Sequence, residues 1–434
     1  MNRRKFLISA GVTVAAVAIA APRTEAIPTF STTNESSRWR TVRNQFDQLS
    51  TEYIHLSSFF IASHPRPVRE AIEKHRQSID ANPFVYLEEH MIEMPAKIQT
   101  AVADYVGGKP QEIAITNSTT MGLALVYHGL TLKPGQEILT TTHDHFVHHE
   151  AIRLAAERSD STVKKIALFD DIAKVSEGEI VARIKKAITP KTRVVGITWV
   201  HSSTGLKLPI RAIASVVADA NKGRAESDRV LLVVDGVHGF GVEDESVAEM
   251  GADFFVAGTH KWMFGPRGTG IVWAKAETWK THKLIFPAFA LEPFTAWISG
   301  TKSEAPTQAS WITQGGFHAF EYEWALPAAF EFHKQIGRKN VAARIHALND
   351  QCKEGLAAMP HVRLYTPRGK NLSAGLISFE IAGMKSGDVV KRLLERKIIA
   401  STAPYRESYA RLAPSLLNSS DEIETTLRRI KELA

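Results

Sequence analysis

The chain has 434 residues, 44% hydrophobic and 23% charged, with 53 Lys+Arg against 46 Asp+Glu and a formal net charge of +7. That length suggests two to four domains at roughly 100–200 residues each, and the ordinary globular composition excludes disordered, collagen-like and disulfide-scaffold proteins. A single cysteine, Cys352, excludes an intramolecular disulfide and any zinc site built from several thiolates.

The chain opens on Met1-Asn2-Arg3-Arg4-Lys5-Phe6-Leu7, continues with an apolar run from Ile8 to Ala21, and then reads Pro22-Arg23-Thr24-Glu25-Ala26. A basic start, an apolar run and small residues near a break make the pattern of an export signal. The run is shorter than the roughly 20 apolar residues that a membrane-spanning helix needs. Arg3-Arg4 followed by Lys5-Phe6-Leu7 resembles a twin-arginine signal. It predicts delivery of the folded protein to the periplasm by the twin-arginine machinery, with cleavage near residue 26. The leader holds Arg3, Arg4, Lys5 and Arg23 against Glu25, so part of the positive balance belongs to it. No run of five or more like charges remains beyond it, and nucleic-acid binding is not expected.

Residues 27–58 are read as an N-terminal segment that joins the small domain described below; its start, 27–50, is polar. From about 110 to 275 short β-rich runs alternate with helical patterns. The runs are 112–116, 137–141, 164–169, 193–199, 230–234, 254–257 and 270–274, and helical stretches such as 178–187 and 209–221 separate them. This alternation predicts an α/β domain with a mainly parallel seven-stranded sheet, spanning 59–305. Beyond it, a long helical region at 321–358, apolar runs at 376–381 and 398–402, and a terminal helix from Asp421 predict a smaller α+β domain over 306–434.

Open α/β sheets bind ligands at the carboxyl ends of their strands, so the residues after each run carry the chemistry. After the first comes Asn117-Ser118-Thr119-Thr120-Met121-Gly122 at a helix start. Hydroxyls and unpaired N–H groups there suit a phosphate, although N-capping alone also favours Ser and Thr. After 230–234 comes Asp235-Gly236-Val237-His238. The carboxylate could pair with a protonated ring nitrogen and the histidine could donate to an oxygen of the same ligand. After 254–257 comes Gly258-Thr259-His260-Lys261-Trp262, then a glycine-rich loop. A lysine buried there would have a lowered pKa and a nucleophilic amine suited to a Schiff base. A hydroxyl-rich helix start, then a strand-end aspartate, then a strand-end lysine is the order expected for pyridoxal 5′-phosphate (PLP).

The segments 233–241, VVDGVHGFG, and 251–268, GADFFVAGTHKWMFGPRG, resemble the class V aminotransferase signature, in its isopenicillin N epimerase-like branch. The resemblance implies PLP fold type I, with an active site between domains and at a homodimer interface. It implies Lys261 as the Schiff-base lysine and proton shuttle, Asp235 on the pyridine nitrogen and His238 on the phenolic oxygen. Ser118, Thr119, Thr120 and His260 would serve the phosphate, His145 would stack on the ring, and Ser202 would approach the cofactor oxygen. Arg411 would clamp the substrate carboxylate.

Two features depart from the family. Phe317 stands where a threonine often reaches the neighbouring subunit's phosphate, which puts that contact in doubt. Cys352 lies in a helical stretch rather than in the mobile loop of cysteine desulfurases, so desulfuration is not expected. His143, His145, His148 and His149 also crowd together; three of them could share a helix face and hold a metal, but the PLP reading already uses His145 and no metal site is expected. The leader and Ser57–Pro67 (SSFFIASHPRP) resemble exported members that tailor an amino-acid side chain of a peptide siderophore such as pyoverdine. Transamination-type chemistry on such a side chain is therefore the expected activity. The alternatives are an epimerase, a C–S or other carbon–heteroatom lyase, and a non-catalytic periplasmic binding protein.

Overall fold

The computed structural model describes Phe30 and residues 35–433. The export leader expected at 1–26 lies outside these residues.

Seven strands build the main sheet: β1 (Ile113–Thr116), β2 (Glu137–Thr141), β3 (Thr162–Ile166), β4 (Thr192–Thr198), β5 (Leu231–Asp235), β6 (Phe254–Gly258) and β7 (Gly270–Trp273). Their order across the sheet is β1-β7-β6-β5-β4-β2-β3. Strands β2 to β6 pair in parallel, and β7 runs antiparallel to both its neighbours. β1, β4, β5, β6 and β7 are buried along their whole length. They read as continuous apolar runs because helices cover both faces of the sheet. β3 is the exception. It is an edge strand with exposed Thr162, Val163 and Lys165, and lysine on an edge opposes pairing with another chain. It starts two residues before the apolar run at 164–169 because its register on β2 sets Thr162 opposite Glu137. Such pairing is set by backbone bonds and needs no apolar side chain.

The helical region at 321–358 is three helices, Phe320–Trp324, Leu326–Ile336 and Arg338–Ala357. Pro327 stands in the first turn of the second, where its missing N–H costs nothing. Gly337, at φ +88° and ψ +126°, takes a positive-φ conformation open to glycine that ends it. Cys352 is fully buried on the third helix, and burial pushes its thiol up to about 12.

A four-stranded antiparallel sheet of Val362–Leu364, Ile377–Ile381, Ala410–Leu412 and Ser401–Thr402 centres the small domain. The helix Ser420–Lys431 ends it, started by a capping box in which Ser419 and Glu422 bond each other's backbone N–H groups. The N-terminal segment is tied to this region. Ile54–His55 pairs in parallel with Ile398–Ile399, and Arg43 meets Glu422 at 2.8 Å. Among the described residues no helix is long and apolar enough to cross a membrane.

The loop after β4 docks the two domains. Thr366 Oγ1 donates to Thr204 O at 2.6 Å, and Ser378 Oγ donates to Ser203 O at 2.7 Å. Gly205 sits there at φ +74°, and a Cβ on it would fall 2.4 Å from Leu376 O. Gly205→Ala should therefore lose about 1–3 kcal/mol of stability through strain and collision, read as a lower urea midpoint by circular dichroism.

Candidate active site

The parallel strands end on one side of the sheet, and their ends converge on a cavity of about 710 Å³. β1 leads to Ser118, Thr119 and Thr120; β2 to His145; β4 to Ser202. β5 ends in Asp235 with His238 just beyond, and β6 leads to His260 and Lys261. Arg411 enters from the small domain. All ten residues singled out from the sequence line this one cavity.

At the helix Thr119–Gly129, Ser118 Oγ accepts from the Met121 N–H at 3.2 Å, so the capping role is real. Thr119 Oγ1 accepts from the Gly258 N–H at 2.7 Å and pins the helix start to the end of β6. Capping and anion binding coexist here, because the first-turn N–H groups of a helix have no intrahelical partners and this turn borders the cavity. His260 is beside it, with Nδ1 buried and without a partner. That orphaned nitrogen, the helix start and the hydroxyls together fit a phosphate.

Asp235 is buried, and its Oδ1 accepts from the Val237 N–H at 3.1 Å. Burial pushes its carboxyl above the usual carboxylate range, against the opposing pull of that N–H group and of Lys261. Burial likewise lowers the Lys261 amine to about 8, with Asp235 opposing the shift and Arg411 adding to it. The turn that presents the lysine is constrained. Phe264 is buried at φ +54°, its N–H bonds Lys261 O at 3.0 Å, and Gly265 N–H bonds Thr259 O at 2.9 Å. A non-glycine residue in that region persists only where its surroundings over-determine it.

Trp262 sets the state of His238. Its indole N–H donates to His238 Nδ1 at 3.3 Å. Burial, then the charges of Lys261 and Arg411, hold this histidine neutral, well below its usual range. The remaining proton is thus on Nε2, which lies 3.5 Å from Lys261 Nζ. His238 is thereby a donor toward the cavity, as its expected bond to a ligand oxygen requires.

Arg411 is 4% exposed. It donates to Ser202 O at 2.8 Å, to Thr402 O at 2.7 Å and to Ser401 Oγ at 3.3 Å, and lies over the Phe59 ring at 4.7 Å. All these acceptors are neutral, and among the described residues no carboxylate pairs with the guanidinium. Burial lowers it to about 10. A buried cation without a counter-charge, with donors to spare, fits an incoming carboxylate.

His145 caps the helix Phe146–Ser159 through Nδ1, which accepts from the Val147 N–H at 3.3 Å. Its neighbour Asp144 accepts from Thr140 Oγ1, Thr141 Oγ1 and the Thr141 and Thr198 N–H groups at 2.6–3.0 Å, fastening β2 to β4. Burial alone would raise this carboxyl, but His148, His201 and these bonds hold it near 2.

The crowded histidines disperse. His148 is buried with Nε2 2.7 Å from Tyr127 OH, and His149 Nε2 lies 2.8 Å from Thr141 O. His143 accepts from the Leu168 N–H at 3.2 Å. Among the described residues no three such side chains gather in a way that could hold a metal. Phe317 is 85% exposed and does not line the cavity. Sequence reasoning missed Tyr405, whose hydroxyl meets Ser202 Oγ at 2.7 Å. These two residues are 203 positions apart, and no local motif marks the tyrosine.

A buried lysine beside a buried strand-end aspartate, with a phosphate-ready helix start, on a mostly parallel seven-stranded sheet, defines a PLP enzyme of fold type I. The aminotransferase class-V family model matches residues 61–404, and the chain belongs to that family. Its relatives include an isopenicillin N epimerase of Streptomyces clavuligerus, 24% identical over 83% of this chain and 89% of the relative. A probable cysteine desulfurase of Vibrio cholerae is 24% identical over 90% of this chain and 96% of the relative. The fold is also that of the cystine C-S lyase C-DES, solved in complex with its reaction product cysteine persulfide. There the TM-score is 0.79 at 22% identity, over 89% of this chain and 99% of that one. PLP is the cofactor, and the residues of the cavity fit it.

A protonated amine does not attack an aldehyde, so the lowered Lys261 pKa sets the pH at which the apoprotein captures PLP. The capture rate, followed by visible absorbance, should rise with pH through about 8 and level off above it. In Asp235→Asn the group that raises the lysine's pKa is gone, so the midpoint should move to lower pH.

Proposed function

We propose that this chain is an exported PLP enzyme that binds an amino-acid group by its α-amino and α-carboxylate and replaces or rearranges substituents at the α-carbon. The observation that carries this reading is the juxtaposition of Lys261 and the unpaired Arg411 in one cavity. PLP, when bound, supplies an electron sink for negative charge developing at that carbon. Arg411 holds the carboxylate. Asp235 would hold the cofactor's ring nitrogen in its protonated form, and His238, with its proton on Nε2, would donate to the phenolic oxygen. Lys261, buried in the cavity with a lowered pKa, would be the group that takes the α-proton and gives it back, and the place of its return would separate epimerisation from transamination.

The proposed substrate is an amino-acid side chain of an exported peptide siderophore such as pyoverdine, with transamination-type chemistry. The twin-arginine pattern at Arg3-Arg4 and the segment Ser57–Pro67 support it. A periplasmic site follows from that leader. The second reading is elimination, favoured by the relation to C–S-cleaving proteins. In this chain it would have to proceed without an acceptor thiol of its own, because Cys352 is buried in the small-domain core.

We also propose a homodimer. Phe289, Leu291, Phe294, Trp297, Ile298 and Phe317 are exposed, Trp297 by 73%. Such a concentration of large apolar side chains marks an interface.

The purified mature protein should be yellow. Borohydride should bleach it and fix the cofactor to Lys261 in peptide mass mapping. A colourless wild type, or colour retained in Lys261→Ala, would overturn the reading. Arg411→Lys should keep the colour and raise the KM for an amino-acid substrate about ten- to hundred-fold, the cost of a lost charged hydrogen bond. For the dimer, the double substitution Phe294→Glu, Trp297→Glu should yield a monomer in sedimentation velocity while the wild type sediments as a dimer.

A further inference from the structure

Phe59 lines the active-site cavity and is 2% exposed. The Arg411 guanidinium lies over its ring at 4.7 Å. The same ring packs beside His238 at 5.8 Å and beside Trp262 at 6.4 Å, the latter pair stacked at 26°. One buried ring is thus shared by the arginine of the small domain and the histidine of the large one.

The backbone fixes the ring from both sides. Leu56 N–H donates to Ile399 O at 3.0 Å, and Leu56 O accepts from the Ala413 N–H at 2.8 Å, just past the strand that carries Arg411. Further along, Ala62 N–H donates to His260 O at 3.1 Å, one residue before Lys261. A turn between these ties, closed by Phe60 N–H to Ser57 O at 3.0 Å, sets Phe59 in the cavity wall. The segment therefore links the chain beside Arg411 to the chain beside Lys261, and Phe59 stands on that link.

Arg411 gives an aromatic residue at this place its meaning. A guanidinium has five N–H donors, and three bonds to neutral oxygens are made here. Burying a cation without a counter-charge is costly. A protein carboxylate beneath it would offset that cost, but it would also neutralise the charge and compete for the N–H groups that an incoming carboxylate needs. The face of an aromatic ring attracts the cation through its quadrupole, more strongly where water is excluded. It leaves the in-plane N–H groups free and the net charge in place. A leucine would fill much of the same space and supply none of this attraction.

We propose that Phe59 is a positioning residue for the carboxylate clamp: its ring stands in for a counter-carboxylate under Arg411, so that the charge and the remaining N–H groups stay available to the substrate. This rests on the reading of the cavity as an amino-acid site.

One test measures the attraction itself. In the holoenzyme, Phe59 is replaced by mono-, di- and trifluoro-phenylalanine, which keep the shape and progressively weaken the ring face. The urea midpoint should fall with each fluorine while Arg411 is present and stay level in an Arg411→Gln background. A second test reads the consequence with L-alanine and L-alaninamide, which share the α-amino group and differ in the carboxylate. Both are titrated into the holoenzyme and followed by visible absorbance. The wild type should bind alanine more tightly, and Phe59→Leu should reduce that preference about ten-fold by weakening alanine alone. Midpoints that fall alike in both backgrounds, or do not fall, overturn the proposal. So does a Phe59→Leu protein that weakens both compounds alike. If Phe59→Leu fails to fold, the fluorinated series decides alone. A wild type that treats alanine and alaninamide alike refutes the amino-acid reading itself, whereas a preference that survives Phe59→Leu undiminished refutes only the role of Phe59.

Discussion

The site depends on one electrostatic constraint: Asp235 and Lys261, opposite in formal charge, are both buried at the ends of neighbouring strands. β5 and β6 pair in parallel with Asp235 opposite Val256, so the two groups emerge on the same side of the sheet. Burial drives each toward its neutral form, and their mutual attraction restores only part of that shift. A lysine of this kind is a nucleophile near neutral pH, and an aspartate of this kind favours a protonated nitrogen beside it. The positive φ at Phe264 and the backbone bonds from Phe264 to Lys261 and from Gly265 to Thr259 fix the turn that presents the lysine. Trp262 extends the same control to His238 by choosing which ring nitrogen carries the proton.

The second domain completes the arrangement. Arg411 belongs to the small domain, yet one of its strongest bonds goes to Ser202 O in the large one, and another to Thr402 O in its own. The substrate anchor is therefore set by the seam between domains rather than by either alone. The same seam places Tyr405 against Ser202. Any displacement of the small domain would move the carboxylate clamp relative to the lysine, which is why the docking loop is closed by hydrogen bonds from Thr366 and Ser378 to consecutive carbonyls.

The only cysteine, Cys352, is packed in the small-domain core and held protonated by burial. It is unlike the accessible loop thiol on which a desulfurase relies. Phe317 is exposed, with other large apolar residues such as Phe294 and Trp297, on the surface proposed as a dimer interface.

The sequence by itself determined the strands, their alternation with helices and the order of the chemical groups. Those are local properties: apolar runs long enough to be buried on both faces, and a lysine, an aspartate and hydroxyls placed just past strand ends. It misjudged the edge strand β3, because cross-strand backbone bonds and not side-chain hydrophobicity set its register. It also read the region at 321–358 as one long helical region where Pro327 and Gly337 divide three helices. Only the tertiary structure decided the rest. The Ser202–Tyr405 and Trp262–His238 bonds, the unpaired charge of Arg411 and the dispersal of the four histidines are all long-range. Each arises from groups that the chain brings together only after two domains have packed, and hydrogen-bond geometry and desolvation exist only once those neighbours are in place.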